Sequence, residues 1–444
     1  MLLLYAYCVG IVSSRKIERA CYEEAAFRVL TGNQQPDHSR ISEFRRCNLE
    51  ALSGLFVQIL RLCQKAGMVS LGHVALDGTK VNANASKHKA MSHDRMLKAE
   101  AQLEQEIAEL MRQAEVVDSQ EDGKYGKGKR GSDLPEELQR REDRLEKIRQ
   151  ARLELEAETA AVAARERLEQ AAEAEAAARE AAGEAVSEEE QQKRVAKAEK
   201  ARHKAEAATE LTMEKAALAG LEPPDLEPLA SDQMPRRGLA HHADGMPTAK
   251  TQRNFTDPES HIMRSNGEMI QGYNCQAVVD GDHQVIVAVG VSNQPPDVEH
   301  LIPMLERTIA NTGAIPKTFI ADAGYWSEEN AIACTTAQTD PHIATGRQKH
   351  GLPPPVTKGR IPNDLDLKER MARKLRTKKG REVYAKRKTI PEPVFGQIKE
   401  GRGLRRFLMR GLEKVTGEWT LWSTTHNILK LFRVQKTQLA MATG

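Results

Sequence analysis

Aromatic residues are scarce in this sequence, at only 4% of its 444 positions. A chain of this length has room for two or more domains. That is low for one large globular core and points to part of the length lying outside it. Cysteine is sparse and unpatterned. Cys8, Cys21, Cys47, Cys63, Cys275 and Cys334 form no CxxC pair and no regular spacing. That argues against a disulfide framework or zinc site and for a reducing, cytoplasmic setting. No apolar run reaches the ~20 residues that cross a bilayer, so no membrane partner is expected. The opening MLLLYAYCVGIVSS is apolar but short, and no basic residue precedes it. It runs into helical periodicity and reads as a buried helix rather than a signal peptide. The stretch EDGKYGKGKRGSDLP (121–135) lacks the GxxxxGK[ST] spacing of a phosphate-cradling loop.

Net charge is also small, at +3, but it hides two opposed regions. Residues 357–414 hold 19 Lys/Arg against 7 Asp/Glu, whereas residues 100–215 hold 21 against 30. The first is suited to a polyanion, and nucleic acid is the expected partner. The second is not.

Residues 1–70 read as helices with a break at TGNQQPDHS, where Gly32, Asn33 and Pro36 are turn residues. Two helices joined this way suit either a helix-turn-helix or a plain packing unit. Residues 71–85 read as a strand ending on Asp77. From 96 to 219 the composition shifts to Ala, Glu, Lys, Arg and Gln. Leu134, Leu138, Arg141, Leu145, Ile148, Arg152 and Leu155 follow in steps of 3 and 4, a heptad seam with two arginines in it. Further on only alanine is offered to a seam, and weak packing is expected there. The segment reads as an inserted antiparallel coiled coil, with 121–135 as its hairpin turn. The Pro-rich residues 220–238 open a linker that extends to about 250.

From 251 onward sheet patterns return. YNCQAVVD and HQVIVAVGVS, separated by Gly-Asp, predict a hairpin. Residues 297–313 predict an amphipathic helix with Gly313 as its stop and Asp297 as N-cap, a reading favoured over a metal ligand at that position. FIAD predicts a second strand ending on a carboxylate, Asp322. PHIATG suits a further strand, and helices follow the basic stretch. The fold class is α/β. A mixed sheet flanked by helices is interrupted after its first strand by the helical insertion and preceded by a small helical region.

Asp77 and Asp322 at strand ends, and Glu392 on a helix in the basic segment, are costly beside a core unless paired or bound to cations. Gathered in one pocket they would raise one another's pKa. Two divalent cations, Mg²⁺ or Mn²⁺ for hard oxygen donors, remove that conflict and can activate water or a 3′-hydroxyl at a phosphodiester. On spacing alone, turn-capping explains strand-end aspartates equally well.

The blocks ALDGTKVNANASKHKAMS, NFTDPESHIMRSNGEMIQGYNCQAVVD, FIADAGYWSEEN and EPVFGQIKEGRGLRRFLMRGLEKVTGEWTLWSTTHNILKL resemble, in order, the signature blocks of bacterial insertion-sequence transposases of the DDE class. The resemblance implies an RNase H-like catalytic domain with Asp77, Asp322 and Glu392 as the catalytic, metal-binding triad. It implies strand cleavage and transfer at the element's terminal inverted repeats, with double-stranded DNA as partner and target. The protein would then act as a homodimer or larger assembly on nucleoid DNA.

The family's Tyr-Arg-Glu-Lys signature maps onto Tyr384, Arg387, Glu392 and Lys399. Four residues separate Arg387 from Glu392 where the pattern has three, and Lys388 would restore that interval. Arg387 and Lys388 are therefore alternatives for the cation beside the phosphate. With Tyr384, Lys399, Arg402, Arg405 and Arg406 they make up the expected DNA-binding set. The family also carries helical sequence ahead of the point where Met1 falls. A truncated chain or misassigned start is one expectation, with the region 1–70 contacting DNA ends.

Other polar residues have blander readings. His241 and His242 lie in a loop with no evident metal partners. Trp326 could stack on an extruded base, but packing is the simpler role. NFTDPES (254–260) has no derivable role. Competing functions are an RNase H-like nuclease without joining activity, a catalytically idle DNA-binding remnant, and a coiled-coil structural protein. The last explains neither the strand-end acids nor the basic segment.

Overall fold

The computed structural model describes residues 1–125, 136–183, 187–227, 230–265, 267–346, 355–360, 362 and 365–443. The chain forms two compact units. One comprises Met1–Lys87, Leu229–Arg237 and Thr256–Gly444; the other comprises His88–Pro228 and Gly238–Phe255.

The described strands are β1 (Val74–Asn82), β2 (Ala90–Ser92), β3 (Gln252–Asn254), β4 (His261–Ser265), β5 (Glu268–Asp280), β6 (Ile286–Ser292), β7 (Thr318–Ala321) and β8 (Asp340–Ile343). In the first unit β1 is central. It runs antiparallel to β5 on one side and parallel to β7 on the other, and β8 lies parallel beyond β7. The far edge of β5 carries β6 along its second half and β4 along its first. Three antiparallel strands followed by two parallel ones, with the first strand in the middle, is the order of an RNase H-like sheet.

Five helices precede the sheet: α1 (Leu2–Val9), α2 (Ser14–Glu23), α3 (Ala25–Leu30), α4 (His38–Cys47) and α5 (Leu49–Lys65). The apolar opening is thus a helix, stopped by Gly10 at φ 80. In the second unit lie α6 (His93–Tyr125), α7 (Glu136–Gly183) and α8 (Glu188–Leu218). The first unit continues with α9 (Leu301–Thr312), α10 (Glu328–Thr336), α11 (Leu367–Arg376), α12 (Lys378–Thr389), α13 (Pro391–Gly396) and α14 (Leu412–Thr443).

The scarce aromatics are spent in the first unit. Its largest fully buried side chains include Trp419, Trp422, Tyr7, Tyr273, Tyr325, Phe27, Phe319 and Phe407. Helix α14 presses Trp419 onto the sheet, where its indole N–H donates to the Gln276 carbonyl at 3.0 Å. Asn427 takes both backbone groups of Ile286, at 2.9 and 2.8 Å. A buried amide is tolerated there because every polar atom it meets is paired. The block NFTDPES acquires a structural role: Asp257 accepts from the Tyr273 hydroxyl at 2.8 Å and from Gly411 N–H, and Glu259 accepts from Leu412 N–H at 2.7 Å. Both carboxylates hold the start of α14, where a helix offers unsatisfied N–H groups.

The second unit is built on smaller side chains. Leu138, Ile148 and Leu155 of the heptad seam are buried, the last two in a cluster with Met96 and Leu103. Leu134 lies outside the described residues, as do 126–135 of the expected hairpin turn. The seam arginines are compensated: Arg152 donates to Glu100 and Glu156 at 2.9 and 2.6 Å, and Arg141 pairs with Glu106 at 3.3 Å. The alanine stripe is buried as well, through Ala160, Ala164, Ala205 and Ala208. Each methyl hides little area, so each adds little.

Four sequence expectations change. Strand β1 does not end at Asp77 but runs five residues further, because its polar second half still pairs its backbone with β5 as far as Asn82↔Gly272. Strand β4 forms a hairpin with β5 that alternation did not reveal. The proline-rich segment is not all free linker: Met234 is buried in the first unit's core, and the Pro235 carbonyl accepts from Ser292 Oγ at 2.6 Å. Asp297 makes no side-chain cap; α9 begins after a 3₁₀ turn, and Gly313 ends it in the left-handed region as expected.

Candidate active site

Parallel pairing between β1 and β7 covers only Val74↔Phe319 and Ala75↔Ile320. Two residues beyond the last pair stand Asp77 and Asp322. Side chains two apart on a strand share a face, so both carboxylates leave the sheet on the same side, where the neighbouring strands part. Ligand sites form at such carboxyl ends. Asp77 is therefore mid-strand toward β5 but at the end of pairing toward β7. Gly78 follows because a Cβ there would stand 2.6 Å from Gln276 Nε2. Asp322 accepts from Gly324 N–H at 2.7 Å and opens a 3₁₀ turn, Ala323–Tyr325.

Glu392 lies in the first turn of α13, with its side chain half-exposed. It is brought to Asp77 by an arginine: Arg387, in the last turn of α12, has Nη1 3.7 Å from Asp77 Oδ2 and Nη2 3.5 Å from Glu392 Oε1. Lys388 points to solvent. Of the two cations left as alternatives, Arg387 faces the acids. Tyr384 is half-buried next to it, and burial raises its phenol pKa.

The remaining basic candidates separate. Arg405 is exposed and paired with Glu400, at 2.6 Å through Nη1; Arg406 is exposed. The Lys399 ammonium is half-buried under β1, donating to Thr79 Oγ1 at 2.9 Å and to the Lys80 carbonyl. Arg402 is a correction. Only 9% exposed, it donates to Thr425 Oγ1 at 2.8 Å and lies over the Trp422 ring. An arginine stem and guanidinium can fill a core when hydrogen-bonded and stacked, and this one is a core residue rather than a surface cation.

Asp297, for which the sequence favours an N-cap over a metal ligand, lies next to the acids. Its Oδ1 accepts from Lys80 Nζ at 3.0 Å, Asn274 Nδ2 at 2.7 Å and Gln276 Nε2 at 3.0 Å. It lies close to both glycines that follow the strand aspartates, Gly78 and Gly324. A polar ladder on β5, Asn274 and Gln276, was the available signal: two amides on one face of an otherwise apolar strand. His300 beside it is fully buried with neither ring nitrogen partnered, and burial lowers its pKa to about 4. Trp326 is half-buried against the core. His241 pairs with Glu166 at 3.2 Å.

The electrostatics reveal a shortage of positive charge. Burial raises the Asp77 pKa to about 6; Arg387 and the Gly78 N–H pull it down, while Asp322 and Asp297 push it further up. Oxygen-only donors with surplus negative charge suit a hard divalent cation. The carboxylates are not drawn in around one point. Among the described residues, the only group of three His, Cys, Asp or Glu with ligand atoms all within 4.8 Å of one another is Glu18, Asp37 and His38 on the N-terminal helices.

Residues 234–428 match the family model of the transposase DDE domain, and residues 1–47 match a transposase domain, DUF772. Together they cover more than half of the chain, which belongs to the insertion-sequence transposases of the DDE class. Asp322 and Glu392 fall inside the first match and Asp77 in neither. No curated protein and no solved structure matches the chain. Membership makes this a DNA-acting enzyme of the polynucleotidyl-transferase type, a class that generally uses divalent metal ions. Among the described residues no helix is long and apolar enough to cross a membrane.

Proposed function

We propose that this transposase cleaves DNA strands at the terminal inverted repeats of its insertion sequence and joins them to target DNA, with Asp77, Asp322 and Glu392 as the catalytic carboxylates. The observation that carries this reading is the pair Asp77 and Asp322 on one side of two parting parallel strands, with Glu392 linked to Asp77 through Arg387. The three carboxylates would hold Mg²⁺ or Mn²⁺, two ions in all. Bound there, the cations supply an activated water or 3′-hydroxyl and charge at the leaving oxygen. Arg387, beside Asp77 and Glu392, would hold a DNA phosphate through two of its oxygens, with Tyr384 packed beside it. Lys388, Arg405 and Arg406 attract the DNA backbone from the exposed surface, and Lys399 stiffens β1 from below. Residues 1–70 contact the element ends, and the helical insert pairs two copies on DNA in the bacterial cytoplasm.

Strand cleavage and joining on DNA bearing the element's own ends test this reading. Asp77→Ala, Asp322→Ala and Glu392→Ala are each expected to lower cation-dependent cleavage at least about 10³-fold, with DNA affinity nearly unchanged. Cleavage that survives one change removes that residue from the triad. Cutting without joined products favours a nuclease; neither activity in the unaltered protein favours an idle remnant.

A further inference from the structure

Asp297 is not one of the three proposed catalytic carboxylates, and its hydrogen bonds point to a purpose of its own. Its Oδ1 accepts from three donors on two strands: Lys80 of β1, and Asn274 and Gln276 of β5. A carboxylate can only accept, so it compels the Gln276 amide to present Nε2. That leaves Gln276 Oε1 turned the other way, where it accepts from the Tyr325 hydroxyl. Tyr325 is almost fully buried, and a buried phenol needs such a partner. Tyr325 closes the 3₁₀ turn that begins immediately after Asp322. Asn330 clamps the same region, its Nδ2 donating to the carbonyls of Tyr325 and Val298 at 2.7 Å each. Val298 adjoins Asp297. A closed path thus runs from Asp297 through Gln276 and Tyr325 to the Asp322 turn, and back through Asn330.

We propose that Asp297 is a positioning residue of the acidic centre: through Gln276 and Tyr325 it fixes the turn that presents Asp322, and its own charge is held by Lys80 of β1. This inference rests on reading Asp77 and Asp322 as the working carboxylates. Asp297 itself binds neither DNA nor the reacting atoms; it decides where Asp322 stands. In metal sites, groups that orient the ligands typically alter affinity 10- to 100-fold when removed.

The test is a double-mutant cycle with Asp297→Asn and Tyr325→Phe in the full chain. Three readouts are taken: amide hydrogen exchange of residues 322–326, Mn²⁺ affinity by electron paramagnetic resonance, and the kcat and KM of strand cleavage. Each single change is expected to speed exchange at Gly324 and Tyr325. Each is expected to weaken Mn²⁺ binding about tenfold and to lower kcat with KM for DNA unchanged. The double variant is expected to be no worse than the poorer single, since both cut one path. Additive losses would instead make Asp297 a direct cation ligand and overturn the proposal, as would unchanged exchange. If Asp297→Asn does not fold, Tyr325→Phe alone must still loosen 322–326 and weaken Mn²⁺ binding, or the path carries nothing. Exchange requires neither cation nor DNA. Unaltered protein that never cuts DNA would sink the transposition chemistry and leave the positioning role standing. Cleavage by the unaltered protein together with unmoved exchange in both variants would sink the positioning role alone.

Discussion

Glu156 in the helical unit and Asp77 in the sheet unit are both poorly exposed carboxylates, yet their charges are treated in opposite ways. Burial pushes Glu156 up, but hydrogen bonds from Arg152, Lys215 and His93 more than offset this, and its pKa ends below the usual value. Burial likewise pushes Asp77 up, but one distant arginine and one backbone N–H cannot offset it, and two further aspartates add to the rise. The helical unit also closes its own accounts elsewhere: Arg253 is buried between Glu154 and Glu158, and Arg149 meets Glu104 at 2.6 Å. A buried carboxylate with its cations in place is a structural joint. Asp77 has fewer cations than Glu156, and a carboxylate shifted in this way is a candidate for function.

This contrast can be broken at either end. The largest effect is expected from Arg152→Met, which strands Glu100 and Glu156 without their main partner. Breaking a buried pair from one side costs about 3–5 kcal/mol; the partial exposure of Arg152 places the expected loss near the lower figure, read by chemical denaturation of the helical unit's signal. A loss below about 1 kcal/mol would mean that the seam is not held by its charges.

Next in size is Asp77→Asn, which should stabilise. The folded pKa of Asp77 lies near 6, above its ordinary 3.8, so the native state binds the proton more tightly than the unfolded one. Stability from this group is fully present below about pH 4 and is lost as pH rises toward 6. At pH 7 the variant is expected to be more stable than the unaltered protein by about 1–3 kcal/mol, with the difference vanishing below pH 4. Equal stability of the two at pH 7 would deny the charge deficit. Saturating Mn²⁺ should narrow the gap from the other side.

The smallest effect sharpens the distinction between core and surface cations. Arg406→Ala is expected to reduce the salt slope of DNA binding by about one and leave the melting temperature alone. Arg402→Met is expected to lower the melting temperature and leave the slope unchanged. An altered slope in the second variant would return Arg402 to the DNA surface.

Much of this protein is written locally. The apolar opening helix, the heptad of the insert, the β5–β6 hairpin, the Gly313 stop and the strand before Asp322 all follow from periodicity and turn chemistry, which act over a few residues. The split between a basic segment and an acidic insert is equally plain, because charge is counted and not folded. What the chain's order conceals is every partnership across distance. Asp297 reads as an N-cap because its neighbours in sequence begin a helix; its true partner, Lys80, is 217 positions away. Arg402 and Arg406 stand in one basic run, yet only packing against α14 turns the first inward. Spacing left Arg387 and Lys388 equal, and the turn of α12 separates them. Asp77 looked like the end of a strand, and it is an end on one side alone, where β7 stops before β5 does. Local propensity sets which elements form. Which side chains meet at their edges depends on register and packing between strands far apart in the chain, and only the folded sheet decides that.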